Sequence, residues 1–451
     1  MGYFLWELKI QISIRNRTPV SSKHNSIILS TLPIYSPTPL FPPLKNISNQ
    51  TNSTNTNPMS SAPSQPAQTG AGKTVLVTGG SGYVAAHVLN SFLSRGYNVR
   101  TTVRTQATAE KVKKSHKQYL DRLSFAIVGD VATPGAHDEA VRGVDGVIHT
   151  ASPFVSLPLF WHCGFERKLS LGSGSRQDFT QRPKSKQKLT YLQQMQVQDN
   201  KRDLLDPAIN GTTSVLTSIQ KHNPLLKRVV ITSSFAAIDD LNLGARPGYT
   251  YTESDWNPIT YQEAADPNAA GAVAYCASKT FAERAAFDFV ENNKPNFNVT
   301  TLCPPMVYGP AAHSVESLKG LNTSSADIYR LINGSEKTVP DTAFFAFVDV
   351  RDLGEAHVLA FESERAAGQR YIVAAGGYTY QAICDVLREE FPELRERVPE
   401  GKVGSGIAYP DVYRVDNGKI GRELGLEFRG LRETVGDMVK GFLEIEGRVE
   451  A

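Results

Sequence analysis

The sequence predicts an α/β protein built on a doubly wound parallel sheet, with a smaller domain toward the C-terminal end. Three observations support this fold class. A short apolar strand leads into three closely spaced glycines and then into a helix. Segments with strand and helix patterns alternate after it, which is typical of a parallel sheet with helices on both faces. The chain has 451 residues, of which 40% are hydrophobic, enough for sizeable cores.

The first strand is the apolar run 75–77, which is typical of a parallel strand buried on both faces. Three glycines follow it, at Gly79, Gly80 and Gly82, and residues 84–95 have helical periodicity. Glycines in such a turn let backbone N–H groups and the positive end of the helix approach a pyrophosphate, where a Cβ would collide. The segment therefore predicts a dinucleotide site on a Rossmann-type sheet.

The second strand, predicted over 97–103, ends at Arg104. An acid near this position binds the ribose 2′-hydroxyl of NAD, whereas an arginine pairs with the 2′-phosphate of NADP. No acid occurs between Tyr83 and Ala109, so Arg104 favours NADP, with Lys111 as a second cation. The alternative is that Arg104 is a solvated surface residue.

Two further strands are predicted over 123–128 and from Val144 to His149, the second opening onto a turn of small residues. Asp130 follows the first of them. Its carboxylate can accept a hydrogen bond from the adenine amine, or it can serve as an ordinary turn residue. Both interpretations stay open at this point.

Residues 227–234 form the fifth predicted strand, with Ser234 at its C-terminal end, where open α/β sheets bind their ligands. Tyr275 and Lys279 then begin a helical run, and their spacing of four places both on one helix face. A nicotinamide cofactor together with serine, tyrosine and lysine predicts carbonyl reduction: Ser234 polarises the carbonyl and Tyr275 delivers the proton. We expect the Lys279 ammonium and the oxidised nicotinamide together to lower the pKa of the phenol, and Lys279 also to hold the nicotinamide ribose.

The remaining elements divide the chain into domains. A sixth strand is predicted over 297–303 and a strand with its helix over 345–362. We assign residues 72–310 to the dinucleotide-binding domain and 311–451 mainly to a substrate domain, with 345–362 returning to the first domain. Residues 1–71 are predicted to be a disordered tail.

The net charge of +3 is unevenly distributed. Residues 1–58 carry +4 and residues 155–194 carry +5, which leaves −6 for the rest, so we expect no nucleic-acid partner. The four cysteines have no paired spacing, which argues against a metal site and suits the reducing cytoplasm. No apolar run approaches the about 20 residues that span a bilayer, so we expect no membrane segment.

Residues 1–58 are basic, rich in serine and nearly free of acids. One interpretation is a mitochondrial presequence. The other is that the protein starts at Met59 and that the preceding residues are translated upstream sequence.

Taken together, six segments resemble the extended short-chain dehydrogenase/reductases: Thr78–Ala85, Asp130, His149–Phe154, Thr232–Ser234, Tyr275 with Lys279, and Phe347–Asp352. Within that family the chain is most similar to dihydroflavonol reductases, cinnamoyl-CoA reductases and fungal aldehyde or methylglyoxal reductases. The resemblance implies an NADPH-dependent reductase of aldehydes or ketones, with Ser234, Tyr275 and Lys279 as catalytic residues. It also implies cofactor contacts at Gly79, Gly80, Ser81, Gly82, Tyr83, Val84, Arg104, Asp130, Val131, Tyr275, Lys279, Val307 and Ser324. Ala85 stands at the position of the fingerprint's third glycine, a variation that this group tolerates. Thr108 stands where relatives often have a second basic residue, which leaves Arg104 as the main determinant of NADP binding.

Residues 155–194 interrupt this pattern, because they have no sustained periodicity and relatives pass almost directly from one flank to the other. Val155-Ser156 can be encoded by GTAAGT, a 5′ splice-site consensus, Leu189-Thr190 by a CTNAC branch-point sequence, and Gln194 by CAG. We hypothesise a translated intron. The rival is a genuine lid loop at the catalytic edge of the sheet.

Two other functions share these motifs. A basic insert that obstructs the site would leave an NADP-binding protein without catalysis. A sugar-nucleotide epimerase has the same fold and catalytic residues but keeps its cofactor bound through turnover. The sequence does not identify the carbonyl substrate, and it is compatible with a monomer or a homodimer.

Overall fold

The computed structural model describes residues 68–151, 197, 199–313, 315, 317–407 and 412–450. The predictions for residues 1–58 and 155–194 lie outside this part of the chain, as does Phe154. The described residues contain twelve strands: β1 Thr74–Thr78, β2 Asn98–Val103, β3 Leu123–Ile127, β4 Gly146–His149, β5 Arg228–Thr232, β6 Thr250–Tyr251, β7 Asn298–Cys303, β8 Met306–Tyr308, β9 Ala346–Asp349, β10 Arg370–Ile372, β11 Gly376–Gly377 and β12 Arg414–Val415.

The same residues contain ten α-helices: α1 Tyr83–Ser94, α2 Gln106–Ser115, α3 Asp206–His222, α4 Tyr261–Ala265, α5 Gly271–Asn293, α6 Thr323–Ile332, α7 Val350–Glu362, α8 Tyr380–Glu390, α9 Gly418–Leu424 and α10 Leu431–Glu450. None of these helices combines the length and the apolar character that crossing a membrane requires.

Seven strands form one parallel sheet in the order β10-β7-β5-β4-β1-β2-β3. Strand β1 lies in the middle of the sheet, and β2 and β3 follow it toward one edge. The chain then crosses back to β4, on the other side of β1, and β5, β7 and β10 continue toward the opposite edge. Strands β1 and β4 are therefore the point at which the strand order reverses, and Thr78 pairs with His149 at their C-terminal ends. Ligands of open α/β sheets bind in the crevice at such a point. The predicted fold class is confirmed.

The sheet is covered on both faces, as the apolar first strand predicts. Val75 and Val77 belong to one buried cluster, with Leu89 and Phe92 of α1, whereas Leu76 belongs to another, with Val215 of α3. Alternate residues of a strand point to opposite faces, so each cluster fills one side of the sheet.

A second, smaller core lies in the C-terminal part, where α6, α8 and α10 contribute apolar residues such as Ile328, Ile383 and Val439. Strand β9 pairs with β8 and β11 in a three-stranded sheet. The sequence predicts that the segment 345–362 returns to the first domain. Its helix, α7, packs on α1 of that domain, but its strand, β9, does not join the large sheet. Strand β10, in the region assigned mainly to the substrate domain, completes that sheet instead.

Candidate active site

A cavity of about 860 Å³ lies at the C-terminal ends of β1, β4 and β5. It brings together all of the predicted site residues except Gly80: Gly79, Ser81, Gly82, Tyr83, Val84, Arg104, Asp130, Val131, Ser234, Tyr275, Lys279, Val307 and Ser324. One concave site therefore holds both the proposed cofactor residues and the proposed catalytic residues.

The glycine turn fits closely against its neighbours. Gly79 has a φ of +74°, a conformation that favours glycine, and its amide donates to Thr102 Oγ1 at 2.9 Å. The Gly80 amide donates to the Thr102 carbonyl at 2.9 Å, and a Cβ on Gly80 would lie 2.0 Å from Thr101 Oγ1. Gly80, predicted to contact the cofactor, is thus turned away from the cavity, and its lack of a side chain serves the packing of the turn against β2.

The N-terminus of α1 is open toward the cavity. Gly82 is the N-cap residue, so no side chain caps the helix, and the first turn contains no acidic residue. The first amides of a helix have no partner within it and attract anions. Tyr83 lines the cavity and donates from its hydroxyl to the Gly309 carbonyl at 2.7 Å, which ties this end of α1 to the segment after β8.

Thr78 joins the ends of β1 and β4. Its Oγ1 accepts from the amides of Thr150 and Ala151 at 3.1 and 3.0 Å and lies 2.9 Å from Nδ1 of His149. Burial lowers the pKa of His149 to about 3, so the imidazole is neutral. Nδ1 can therefore accept the one proton of the Thr78 hydroxyl. These bonds fix the edge of the sheet that forms the cavity floor.

Arg104 follows β2 and Asp130 follows β3, so both line the cavity several strands away from Ser234, which follows β5. Arg104 is exposed and makes no ion pair with any residue that the structure describes. Asp130 accepts from the Ala132 amide at 2.9 Å and from Thr133 Oγ1 at 3.3 Å. The turn role of Asp130 is thus observed, and its contact with adenine stays a prediction.

Ser234 follows β5 and begins a short 3-10 turn, Phe235–Ala237. Its Oγ accepts from the Ala236 amide at 3.2 Å, and its hydroxyl lowers the pKa of the Tyr275 phenol. Tyr275 and Lys279 lie near the start of α5, with Lys279 Nζ 5.6 Å from the centre of the Tyr275 ring. The three side chains therefore meet at one place on the cavity wall.

Burial dominates the electrostatics of this group. It lowers the pKa of Lys279 to about 8, because a buried ammonium loses hydration. It also raises the pKa of Tyr275, and the influence of the Ser234 hydroxyl only partly opposes this rise. Among the protein's own groups burial therefore dominates the pKa of Tyr275, and the lowering expected from Lys279 together with oxidised nicotinamide stays a prediction. A neutral phenol beside an ammonium is the protonation state that proton donation needs.

One part of the cavity wall is apolar. Phe235, Met306, Phe344 and Tyr413 line the cavity there. The Tyr413 ring is held edge-on against Tyr251, with 5.1 Å between ring centres, and its hydroxyl accepts from the Phe345 amide at 3.3 Å. Sequence reasoning missed Phe344 and Tyr413. The two-residue strands β6 and β12, which bring Tyr413 to the cavity, leave no periodic pattern to read.

No three His, Cys, Asp or Glu side chains within the described ranges are grouped so that they could hold a metal ion. Arg104 and Lys279 are the cationic residues of the described lining, and Asp130 is its acidic one. A glycine turn, an uncapped helix end and a distal arginine fit the pyrophosphate and 2′-phosphate of a dinucleotide.

Comparisons with known proteins agree with this geometry. The profile of the NAD dependent epimerase/dehydratase family matches residues 75–157 and 194–375. The ketoreductase azaE of Aspergillus niger is 37% identical, over 82% of this chain and 98% of its own length. The NADPH-dependent methylglyoxal reductase GRE2 of Saccharomyces cerevisiae is 32% identical, over 83% of this chain and 100% of its own length.

The crystal structure of yeast methylglyoxal/isovaleraldehyde reductase Gre2 complexed with NADPH superposes with a TM-score of 0.69, at 32% identity, over 83% of this chain and 99% of that one. The resemblance to extended short-chain dehydrogenase/reductases and their fungal reductase group is confirmed. Residues 158–193 lie between the two matched segments of the family profile. The chain belongs to the NAD dependent epimerase/dehydratase family.

Proposed function

We propose that this chain is an NADPH-dependent reductase of aldehydes and ketones that uses Ser234, Tyr275 and Lys279. The observation that carries the proposal is that these three side chains and the glycine turn line one cavity. Two relatives that match this chain over nearly their whole length are named as a ketoreductase and as an NADPH-dependent methylglyoxal reductase. Both names describe the reaction that the site suits.

The chain would bind the cofactor through two of the cofactor's anionic groups, the pyrophosphate and the 2′-phosphate. The amides at the start of α1, beside Gly79 and Gly82, would bind the pyrophosphate. Arg104, exposed at the distal end, would pair with the 2′-phosphate. Bound NADPH supplies the hydride that reduces the carbonyl carbon.

The protein's own groups act on the carbonyl oxygen. An oxygen between Ser234 and Tyr275 would accept hydrogen bonds from both hydroxyls, which stabilises the negative charge that develops there. Tyr275 then transfers its phenolic proton to that oxygen. The Lys279 ammonium, 5.6 Å from the Tyr275 ring, stabilises the phenolate that remains.

The substrate is a neutral, largely apolar carbonyl compound. Phe235, Phe344, Met306 and Tyr413 would contact the groups attached to the carbonyl carbon. In the described lining, Lys279 is the only cation near the catalytic group, so a carboxylate or phosphate on the substrate would lack a partner. Aromatic and branched aldehydes or ketones suit such walls.

The decisive experiment is Tyr275→Phe, which removes the proton donor and retains the ring. We expect NADPH oxidation with an aromatic aldehyde to fall by about 10²- to 10⁴-fold, with NADPH affinity retained. Tyr261→Phe is the matched control, because the Tyr261 hydroxyl donates to Asp206 outside the cavity, at 2.6 Å. A Tyr275→Phe variant as active as the unmodified chain would refute the catalytic assignment.

The family match also favours a second candidate, a sugar-nucleotide epimerase. An epimerase regenerates its cofactor in each turnover, so it consumes no added NADPH. Stoichiometric NADPH loss with a simple aldehyde therefore supports the reductase. Interconversion of a nucleotide sugar without NADPH loss would support the epimerase, and NADPH binding without turnover of either would indicate a non-catalytic NADP-binding protein.

We propose that the enzyme works in the cytoplasm, as a monomer or homodimer. The described cysteines Cys276, Cys303 and Cys384 are free and buried, which suits a reducing compartment. Subcellular fractionation tests the location, with recovery in mitochondria indicating that residues 1–58 act as a presequence. Light scattering of the purified chain gives the oligomeric state.

A further inference from the structure

Glu283 is a buried carboxylate on the catalytic helix α5, outside the group that faces the cavity. It lies four residues after Lys279 and eight after Tyr275, and it is 2% exposed. Its oxygens accept from Ser233 Oγ at 2.8 Å and from Thr301 Oγ1 at 2.6 Å. A buried carboxylate is costly unless it is paired and hydrogen-bonded, so this residue is held for a reason beyond packing.

Arg370 supplies the charge that Glu283 requires. Its Nε and Nη2 donate to the two Glu283 oxygens at 2.8 and 3.1 Å. Nη1 donates to the carbonyls of Glu253 and Asp255 at 2.7 and 2.8 Å, and the guanidinium lies 3.5 Å from the centre of the Trp256 ring. Arg370 belongs to β10, the edge strand of the large sheet, so the pair joins α5 to that edge of the sheet.

The link to the catalytic group runs through two consecutive serines. Ser234 lines the cavity together with Tyr275, and the neighbouring Ser233 donates to Glu283 on the same helix. Eight helical residues separate Tyr275 from Glu283, a distance of about 12 Å along the axis. The bonds of Glu283 to Ser233 and Thr301 and its ion pair with Arg370 tie α5 to the end of β5, to β7 and to β10, which limits sliding and rotation of the helix.

We propose that Glu283 is a positioning residue: paired with Arg370, it fixes the register of α5 against the end of β5 and so sets how Tyr275 approaches Ser234. This inference rests on the proposed function, because its effect is read in the rate of carbonyl reduction. Misplacement of catalytic groups by about 1 Å can cost about a hundredfold in rate. Glu283 therefore acts on the chemical step without touching substrate or cofactor.

The experiment compares Glu283→Gln, Ser233→Ala and the control Arg284→Met in the full chain. Arg284 is the next residue on α5, exposed, with its guanidinium 4.8 Å from the centre of the Trp256 ring. We measure kcat, the KM of the aldehyde, the Kd of NADPH by fluorescence, and the isotope effect with NADPH deuterated at the transferred position. Glu283→Gln should lower kcat by about tenfold or more and raise the isotope effect, with the Kd within about twofold.

Ser233→Ala removes the serine link to Glu283 and, because Ser233 also lines the cavity, is assayed for NADPH binding as well. It should fold normally and lower kcat by about three- to tenfold, with the Kd of NADPH within about twofold. If Glu283→Gln does not fold, the kcat of Ser233→Ala alone tests whether Glu283 positions α5. Adding Arg370→Gln to Glu283→Gln removes the unpaired buried cation and should recover part of the kcat.

The proposal is overturned if Ser233→Ala or folded Glu283→Gln keeps the kcat and isotope effect of the unmodified chain. It is also overturned if only the amount of folded protein falls while kcat per NADPH-binding site is unchanged. An unmodified chain without reductase activity would refute the proposed function instead.

Discussion

Lys279 places its ammonium nitrogen 5.6 Å from the centre of the Tyr275 ring, one turn along the same helix. Burial lowers the pKa of this lysine to about 8. We therefore expect kcat for carbonyl reduction to fall as the pH rises through about 8, because a neutral lysine no longer stabilises the phenolate. A kcat profile from about pH 6 to 10 tests this, with Lys279→Met expected to be weakly active and to lack the alkaline limb.

The same pKa predicts an opposite trend in folding stability. The pKa is about 8 in the folded protein against 10.5 for an ordinary lysine, so the unfolded chain binds more protons between these values. The free energy of unfolding should therefore rise with pH across that window as far as this group contributes. Denaturant titrations at several pH values, compared with Lys279→Met, isolate the contribution. Equal slopes for the two proteins would contradict the lowered pKa.

Gly80 is expected to tolerate no side chain. A Cβ there would lie 2.0 Å from Oγ1 of Thr101, which is itself fully buried and donates to the Val77 carbonyl. Gly80→Ala should destabilise the fold by about 1–3 kcal/mol and weaken NADPH binding, because the turn must move. Thermal unfolding and NADPH titration measure both effects.

Gly430→Ala is the control for that substitution, since a Cβ at Gly430 meets no atom within 4 Å. It should change stability by less than about 0.5 kcal/mol. Adding Thr101→Ala to Gly80→Ala removes the nearest atom and should restore part of the stability. A Gly80→Ala protein with unchanged melting temperature would show that the turn is less constrained than its packing indicates.

Arg104 is expected to select NADPH over NADH. Its exposed guanidinium lines the cavity and makes no ion pair inside the described ranges, so it is available to a phosphate. Arg104→Ala should weaken NADPH binding by about 10- to 100-fold, the value of about 1.5–3 kcal/mol for charged hydrogen bonds, and leave NADH binding unchanged.

Lys111→Ala tests the second cation suggested by the sequence, and a smaller loss is expected because Lys111 lies on the next helix. Equal loss of NADPH and NADH binding in Arg104→Ala would indicate a general structural defect. Fluorescence titration with both cofactors at two salt concentrations separates these outcomes, since ion pairs weaken with salt.

Residues 155–194 are expected to be dispensable. The family profile matches residues up to 157 and again from 194, with 158–193 between the matched segments. A chain lacking 155–194 should bind NADPH and reduce aldehydes at least as well as the full chain. Loss of activity on deletion would favour the lid-loop interpretation. Sequencing of transcripts across this junction tests the intron hypothesis directly, since a dominant mRNA that retains codons 155–194 would contradict it.

The elements that carry strong local patterns were predictable from the sequence. The run 75–77, the glycines after it and the helix over 84–95 have a pattern set by neighbouring residues, and the structure places β1 and α1 there. Tyr275 and Lys279 were predictable for the same reason, because a spacing of four on a helix fixes a shared face.

The parts that depend on distant contacts were not predictable. Strand β10 has three residues and β12 has two, too few for any periodicity, and their partners are far away in the chain. The pKa of Tyr275 depends on burial, which a spacing does not reveal. Glu283 did leave a signal: a carboxylate on the apolar side of α5, between buried residues, indicates a buried cationic partner.

The ion pair between Glu283 and Arg370 spans 87 residues of sequence. Ser234, Tyr275 and Lys279 all leave the ribosome before Arg370 is synthesised, so a nascent chain containing all three still lacks the cation that Glu283 needs. We therefore expect a polypeptide truncated ahead of residue 370, which also lacks β10 and the apolar residues of α8 and α10, to be inert although it retains the whole Ser-Tyr-Lys set.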